Sequence, residues 1–198
     1  MTLREQGRAA AYWDFGLPPQ GTLAEYHLRA YGYTAPIPNE TIRFIPECPC
    51  PRLGLRRPAI VAKIGDIRRE FAGVSLHYLN PNRIHRHDAD NTETDYIDWE
   101  YKNSGVYIGD PLREEATILR IASSLEDALV AHQNIGGRWV YDTSRDWSGQ
   151  ELPIGVTRVW NYRGFGIDAT VPAELSGERQ LEISQYRKLV ISERRIVK

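Results

Sequence analysis

The 198-residue sequence predicts an α+β N-terminal module followed by a compact α/β layer with a mainly parallel sheet. In the first half, short apolar runs separated by turn residues indicate a small antiparallel sheet. From residue 117 onward, strand-like runs alternate with helical patterns, which favours parallel strands joined by helices. We therefore predict two domains, an α+β module at residues 1–110 and an α/β domain at residues 111–198.

Helical patterns open the first half of the chain. Residues 1–12 predict a short helix that is broken after Gly16. Thr22, with Glu25 three residues later, is a capping box that predicts a helix from residue 23 to an end near Gly32. Strand-like runs follow at residues 41–45, 59–64, 73–79 and 105–109, and residues 83–104 read as a polar loop.

The second half begins with a buried-strand pattern at residues 117–122. Ser123 and Glu126 form a second capping box, which predicts a helix over residues 124–134 that ends at Gly136. Further strands are predicted at residues 138–141 and 156–162, then a helix at residues 179–192 and a last strand at residues 194–197.

Composition excludes several classes of protein. The chain carries 25 Lys and Arg against 26 Asp and Glu, so it is not a strongly basic DNA-coating protein. The sequence shows no apolar run of transmembrane length and no signal peptide, which predicts a cytoplasmic protein without a membrane partner. The two cysteines, Cys48 and Cys50, do not supply the four ligands of a zinc site, and no ATP-binding P-loop occurs. We therefore expect no metal and no cofactor.

Charge is unevenly distributed along the chain. A basic cluster, which could follow a phosphate backbone, comprises Arg52, Arg56, Arg57, Lys63, Arg68 and Arg69. An acidic segment with aromatic residues, which could bind a basic protein surface, includes Asp88, Asp90, Glu93, Asp95, Tyr96 and Trp99. The alternative is that both are solvated loops whose charges neutralise each other.

Several short motifs occur in the order seen in a known family. They are Ala-Tyr-Trp at residues 11–13, Gly-Thr-Leu-Ala-Glu at residues 21–25, Arg-Phe at residues 43–44 and Pro-Ala-Ile-Val-Ala at residues 58–62. Their order and spacing resemble the module that precedes the Toprim domain in primase-like proteins of phages and plasmids. Residues 118–129 resemble the first strand and helix of the Toprim domain itself. The resemblance implies a Toprim-like fold for the second domain.

The chain departs from this family at the positions that carry its chemistry. The resemblance implies a general acid/base Glu after the first Toprim strand and an Asp-x-Asp pair, which holds Mg²⁺, after the third. Ser123 and Ser124 stand where the family has Glu-Gly, and Asp168 is the nearest carboxylate after the third strand. A serine carries no charge for Mg²⁺ and shuttles no proton near neutral pH, so we expect an inactive site.

The sequence therefore predicts a catalytically inactive Toprim primase-like protein of a mobile element. It would act by binding nucleic acid or a nucleic-acid-handling protein complex, including as an inhibitor of host defence such as an anti-CRISPR protein. The alternative is an active, Mg²⁺-dependent Toprim primase or nuclease with displaced carboxylates at Glu126, Asp142 and Asp168. A third possibility is a structural or assembly protein that has kept only the fold.

Overall fold

The computed structural model describes most of the first half of the chain and the regular elements of the second. The described residues are 3–66, 70–80, 93–98, 104–109, 118–122, 124–142, 158–162, 179–183 and 189–191. The chain forms two compact units, the first comprising residues 1–64 and 71–100 and the second residues 65–70 and 101–198. Residues 101–110, which the sequence assigned to the first domain, belong to the second unit in this division.

The first unit combines two helices with a four-stranded sheet. The helices are α1 (Leu3–Phe15) and α2 (Leu23–Ala30). The strands are β1 (Ile42–Cys50), β2 (Leu55–Gly65), β3 (Phe71–Tyr78) and β4 (Glu93–Asp98), in the spatial order β1–β2–β3–β4. The pairs β1–β2 and β3–β4 are antiparallel, so the predicted α+β class of this half is confirmed.

Helix α2 begins where the sequence predicts. The Thr22 hydroxyl oxygen accepts a hydrogen bond from the Ala24 N–H at 3.2 Å. The Glu25 carboxylate accepts from the Gly21 N–H at 2.7 Å, one residue earlier than in a standard capping box. This bond, followed by the hydrogen bond from Arg29, lowers the pKa of Glu25. Gly32, at φ +103°, ends the helix as predicted.

Strand β1 is longer than predicted, because it continues through the proline-rich run that contains the two cysteines. A register irregularity between Ile45 and Cys48 accommodates Pro46 and Glu47, which are exposed. Proline lacks an N–H and is tolerated on a strand at a bulge or an edge. Cys48 and Cys50 are therefore buried strand residues and not members of a loop.

Residues 93–98 form strand β4, so the predicted polar loop over residues 83–104 is wrong at this point. The register pairs Val74 with Ile97 and Leu76 with Asp95. Ile97 packs against the core cluster, while the carboxylates of this strand gave the sequence its polar character. Because Val74 and Leu76 belong to the core cluster, their partners Ile97 and Asp95 lie on the core-facing side of β4, and Tyr96 lies on the other side.

The core cluster of the first unit lies between α1 and one face of the sheet. Ala9 of α1 is buried against it, and Tyr12 and Trp13 pack on it from the same helix. The sheet contributes residues from three strands, namely Cys48, Cys50, Ala59, Val61, Val74, Leu76 and Tyr78. Burial of this apolar area is the main stabilising contribution to the unit.

The second unit contains one helix and six strands among the described residues. They are β5 (Gly105–Ile108), β6 (Ile118–Ala122), α3 (Leu125–Ile135), β7 (Arg138–Asp142), β8 (Arg158–Tyr162), β9 (Arg179–Ile183) and β10 (Leu189–Ile191). Their spatial order is β10–β9–β8–β6–β7–β5. Strand β6 is parallel to β7 and β8, whereas the pairs β5–β7, β8–β9 and β9–β10 are antiparallel. The sheet is therefore mostly antiparallel, and the prediction of a mainly parallel one is wrong.

Two local predictions in this unit are corrected. Residues 179–183 and 189–191 form strands β9 and β10, not a helix, because apolar residues alternate with polar ones at Leu181 and Ile183. Ser124, not Ser123, caps α3, since its hydroxyl oxygen accepts from the Asp127 N–H at 3.1 Å. The strand predicted at residues 194–197 lies outside the described residues.

Within the part of the chain that the structure describes, no helix has the length and apolar character needed to cross a membrane.

Candidate functional site

The residues of the predicted basic cluster do not lie together in the structure. Arg52 lies in the turn between β1 and β2, and Arg56 and Arg57 lie at the start of β2. Lys63 is six residues beyond Arg57 on the same strand, a separation of about 20 Å at the usual rise of a strand. Arg68 and Arg69 lie outside the described residues. Residues 51–57 form one local segment, which we call the hairpin tip; Arg56 and Arg57 are consecutive in β2 and point to opposite faces of the sheet.

The backbone of the hairpin tip forms one defined turn. The Leu53 N–H donates to the Cys50 carbonyl at 3.2 Å, and the Gly54 N–H donates to the Pro51 carbonyl at 3.4 Å. Gly54 has φ +64°, a conformation that favours glycine, and the ring of Pro51 fixes its own φ. The turn joins Cys50 to Leu55, its cross-strand partner.

Apolar and basic side chains are exposed together on the hairpin tip. Leu53 and Leu55 are 46% and 48% exposed. The side chain of Arg52 is 64% exposed, and Arg56, also exposed, donates to the Glu47 carbonyl at 3.5 Å. The charge pattern of the sequence indicates these arginines but not the two leucines. Two leucines flanking a glycine in a turn, where polar residues are usual, were the available signal.

One ion pair connects the basic cluster to the acidic segment. The Arg52 Nη2 atom lies 3.0 Å from the Asp95 Oδ1 atom, and the Asp95 side chain is 21% exposed. The expectation that the two charged regions neutralise each other therefore holds for this pair. Exposed pairs of this kind contribute about 0–1 kcal/mol to stability.

The rest of the acidic segment is only partly described. Asp88, Asp90 and Trp99 lie outside the described residues, and Glu93 is described only as the first residue of β4. Tyr96 is half-buried and pairs with Ser75 across the strands. The structure therefore brings Asp95 to the hairpin tip but describes no larger acidic surface.

A buried polar network that the sequence analysis did not single out lies on β3 and β4. The Ser75 Oγ atom is 3.0 Å from the His77 Nε2 atom, and the Thr94 Oγ1 atom is 3.4 Å from the His77 Nδ1 atom. Serine and histidine two apart on one strand share a face, which was the available sequence signal. The order hydroxyl, imidazole, hydroxyl is similar to a nucleophile, its base and an orienting group.

This network lacks the access that a nucleophile needs. Ser75 has no exposed surface and His77 is 3% exposed, so a substrate carbonyl cannot reach the hydroxyl without opening the sheet. Buried polar atoms are costly unless they are hydrogen-bonded, and both ring nitrogens of His77 have hydroxyl neighbours. The geometry supports a structural role in which the network fixes the β3–β4 register.

The environment of Cys48 indicates an unreactive thiol. The Tyr78 hydroxyl donates to the Pro49 carbonyl at 2.7 Å, next to Cys48. Burial raises the pKa of Cys48 to about 11, and a hydrogen bond involving Tyr78 only partly opposes this rise. Burial, followed by the nearby Cys48, raises the pKa of Tyr78 as well. A thiol that stays protonated near neutral pH is a poor nucleophile and a poor metal ligand.

Two of the motifs that carry the family resemblance have a structural function. The Arg43 guanidinium lies over the Trp13 ring, 4.6 Å from its centroid, and donates to the Trp13 carbonyl at 3.0 Å. It also donates to the Gly16 carbonyl at 3.4 Å, so one side chain binds the end of α1 to β1. These two motif residues stabilise the fold and are not candidates for binding.

Of the three carboxylates predicted for an active enzyme, the structure describes the positions of Glu126 and Asp142. Glu126 is 5% exposed in the first turn of α3, and Asp142 is the last residue of β7. Because β6 and β7 are parallel, the end of β7 and the start of α3 lie at the same edge of the sheet. Asp168 lies outside the described residues. Within the described residues, no group of three or more His, Cys, Asp or Glu side chains is arranged to hold a metal ion.

Comparison with known families gives a match to the N-terminal part of the chain. A family model described as a domain of unknown function, DUF7146, matches residues 4–94. The matched stretch includes all but the first residue of α1, the whole of α2 and strands β1 to β3, and therefore the hairpin tip. Neither the curated proteins nor the solved structures contain a significant match.

Proposed function

We propose that this protein is a catalytically inactive, Toprim primase-like protein that binds nucleic acid through its hairpin tip. The observation that carries the proposal is the exposure of Arg52 and Arg56 beside Leu53 and Leu55 on one defined turn. Arginines form charge-assisted hydrogen bonds with phosphate oxygens, and the apolar side chains can contact sugars and bases. A fixed turn presents these groups at a small entropic cost on binding.

The order of strands supports the Toprim-like part of the proposal. Strands β6 and β7 with α3 between them form a parallel strand–helix–strand unit, and β8 is the other parallel neighbour of β6. In the family that the sequence resembles, the catalytic residues follow the first and third strands, which would correspond here to β6 and β8. Ser124, which stands where the family has Gly, caps α3 through its hydroxyl oxygen two residues after β6 ends. The support for an inactive site is the sequence itself, which has Ser123 where the family has its general acid/base Glu.

The hairpin tip is a better candidate for the binding surface than the acidic segment. Asp95 is largely covered and already forms an ion pair with Arg52, and Tyr96 is half-buried. The tip retains exposed Arg56, Leu53 and Leu55 in addition to the mostly exposed Arg52. A protein that binds nucleic acid in this way can act as an accessory factor or as a competitive inhibitor of a nucleic-acid-handling machine.

Salt-dependent binding tests the proposal. Fluorescence anisotropy with labelled DNA and RNA oligonucleotides is measured at several salt concentrations for the wild type and for an Arg52→Gln/Arg56→Gln double variant. Each lost phosphate contact should reduce the slope of log K against log salt by about 0.9 for duplex DNA, so the double variant should lose about 1.8. The matched control is Lys63→Gln, which removes a positive charge about 20 Å from the tip and should leave the slope unchanged.

The outcomes separate the proposal from its alternatives. Absence of salt-dependent binding to every oligonucleotide would reject the nucleic-acid function. Equal slopes for the double variant and the wild type would show that another surface binds phosphate. Mg²⁺-dependent cleavage or primer synthesis that is lost on Glu126→Gln or Asp142→Asn would establish the enzyme alternative instead.

A further inference from the structure

We infer that the hairpin tip is a wedge for double-stranded DNA, which inserts Leu53 and Leu55 at a base step from the minor-groove side. This inference rests on the proposed nucleic-acid function and adds the form of the ligand and the mode of contact. It starts from the two leucines, for which charge recognition alone gives no reason. Single exposed leucines are ordinary on protein surfaces, but here two lie on either side of one turn glycine.

The sequence of the tip places an arginine beside each leucine. Arg52 precedes Leu53, and Arg56 follows Leu55, with Gly54 at the centre. A narrow minor groove has an enhanced negative potential that attracts arginine, and phosphates border it on both sides. The arrangement therefore matches a groove in which basic groups bind the walls while apolar groups meet the base edges.

The shape of the tip fits entry by its end. The backbones of paired strands are already about 4.8 Å apart, and their side chains add to this width. The minor groove of B-form DNA is about 6 Å wide, so the strand pair does not fit and only side chains at the turn can enter deeply. Pro51 and Gly54 fix that turn, so the leucines are held at its end without a large loss of freedom on binding. Inserted leucines are a known means by which proteins unstack one base step and bend the duplex toward the major groove.

Two properties distinguish this wedge from simple phosphate binding. The DNA should bend, and the bases at the contacted step should lose stacking. Duplex RNA should bind less tightly than duplex DNA, because the A-form minor groove is wide and shallow and gives the wedge no walls. Single-stranded DNA should also bind less tightly, since it has no step between stacked pairs to enter.

The experiment uses a short duplex with a dye at each end and 2-aminopurine at its centre. The wild-type protein should raise energy transfer between the dyes and raise the 2-aminopurine fluorescence as it binds. A Leu53→Ser/Leu55→Ser variant should bind about tenfold more weakly, keep the salt slope and lose both optical changes. Leu17→Ser, at a leucine that is 50% exposed outside the tip, is the matched control and should behave as the wild type. Circular dichroism confirms the fold of each variant, and Leu53→Gln alone serves if the double variant does not fold.

Each result decides one of the two proposals. Salt-dependent binding without bending or unstacking, or with both retained in the leucine variant, would overturn the wedge and leave the nucleic-acid function intact. Tighter binding to single strands or to duplex RNA would also overturn the wedge. Absence of binding to any nucleic acid would reject the proposed function itself. The exposed leucines would then be explained by contact with a protein partner.

Discussion

Arg52 of the hairpin tip and Asp95 of strand β4 form an ion pair with 3.0 Å between Nη2 and Oδ1. The two residues are 43 positions apart and belong to the two oppositely charged regions of the sequence. The carboxylate of Asp95 contacts the guanidinium of Arg52 at the place where a phosphate oxygen would bind. Binding of nucleic acid through Arg52 must therefore displace Asp95 or leave this arginine unused.

Asp95→Asn should strengthen nucleic-acid binding by the hairpin tip. The substitution removes a competitor for Arg52 that is worth up to about 1 kcal/mol, which corresponds to an increase in affinity of up to about fivefold. The salt slope should stay unchanged, since Arg52 contacts a phosphate in both proteins and only the cost of displacing Asp95 is removed. Anisotropy titrations at several salt concentrations measure both quantities.

The matched control for this substitution is Asp14→Asn, which removes the same charge from an exposed position near the end of α1. An equal gain in both variants would mean that net charge, and not the Arg52–Asp95 pair, limits binding. The stability of the Asp95 variant should fall by less than about 1 kcal/mol, because the pair is largely exposed on the arginine side.

Arg43→Ala should be strongly destabilising although Arg43 carries no proposed function. It removes the contact of the guanidinium with Trp13 and leaves the Trp13 and Gly16 carbonyls without this donor. The loss should be about 2–4 kcal/mol in the free energy of unfolding, measured with urea. Arg43→Lys should recover only part of it, because an ammonium group cannot bind both carbonyls and stack on the ring.

Arg8→Ala provides the comparison for that series, since Arg8 is an exposed arginine on the same helix as Trp13. It should change stability by less than about 0.5 kcal/mol. A small effect of Arg43→Ala, similar to that of Arg8→Ala, would contradict the assignment of this motif to folding.

The raised pKa of Cys48 predicts a loss of stability in alkali. Its folded-state pKa is about 11 against an ordinary value of 9.0, because burial disfavours the thiolate. The resulting stability is present below the unfolded value and is lost as the pH rises toward the folded value. At about pH 10.5 the free energy of unfolding should be about 2 kcal/mol lower than at about pH 8 from this group alone.

The Cys48→Ala variant isolates this contribution from that of Tyr78, whose pKa is also raised by burial. The variant should be less stable than the wild type at about pH 8, because it lacks a buried side chain, but should lose about 2 kcal/mol less than the wild type over the alkaline range. Urea unfolding at each pH gives both curves. Parallel curves would show that the Cys48 thiol titrates normally in the folded protein.

Local sequence signals were sufficient to predict an element where the residues involved are close together in the chain. The capping residues Thr22 and Glu25 marked the start of α2 because they act on adjacent backbone N–H groups, which a linear sequence displays directly. Strand β4 was missed because its carboxylates suggested a loop and because Asp95 lies on the same side of the strand as Ile97, so the segment does not show the alternation of a half-buried strand. Its place in the sheet follows from pairing with β3, which the local sequence does not display.

The residues that make up the candidate site are brought together or separated by distances in the fold, which the sequence does not display. Arg56 and Lys63 are close in the chain, but an extended strand separates them by about 23 Å, so charge clustering in sequence overestimated the surface. Arg52 and Asp95 are far apart in the chain, and their contact follows from the strand order β1–β2–β3–β4, in which β2 lies beside β3. The leucines of the tip were visible in the sequence, whereas their exposure followed from the turn.

The inactive-site prediction is tested by Mg²⁺. A Toprim enzyme with a site of about 100 µM affinity would be stabilised by about 2.7 kcal/mol in about 10 mM Mg²⁺, a shift of several degrees in Tm for a protein of this size. We expect no such shift here. Glu126 is buried in the first turn of α3, and Mg²⁺ usually keeps several of its waters, for which a buried carboxylate gives no access.

The comparison is made against NaCl at equal ionic strength, so that general screening cancels, and with Glu126→Gln as the variant. A Mg²⁺-specific shift that disappears in Glu126→Gln would identify a metal site at the edge formed by α3 and β7 and would make the enzyme alternative the better description of the second unit.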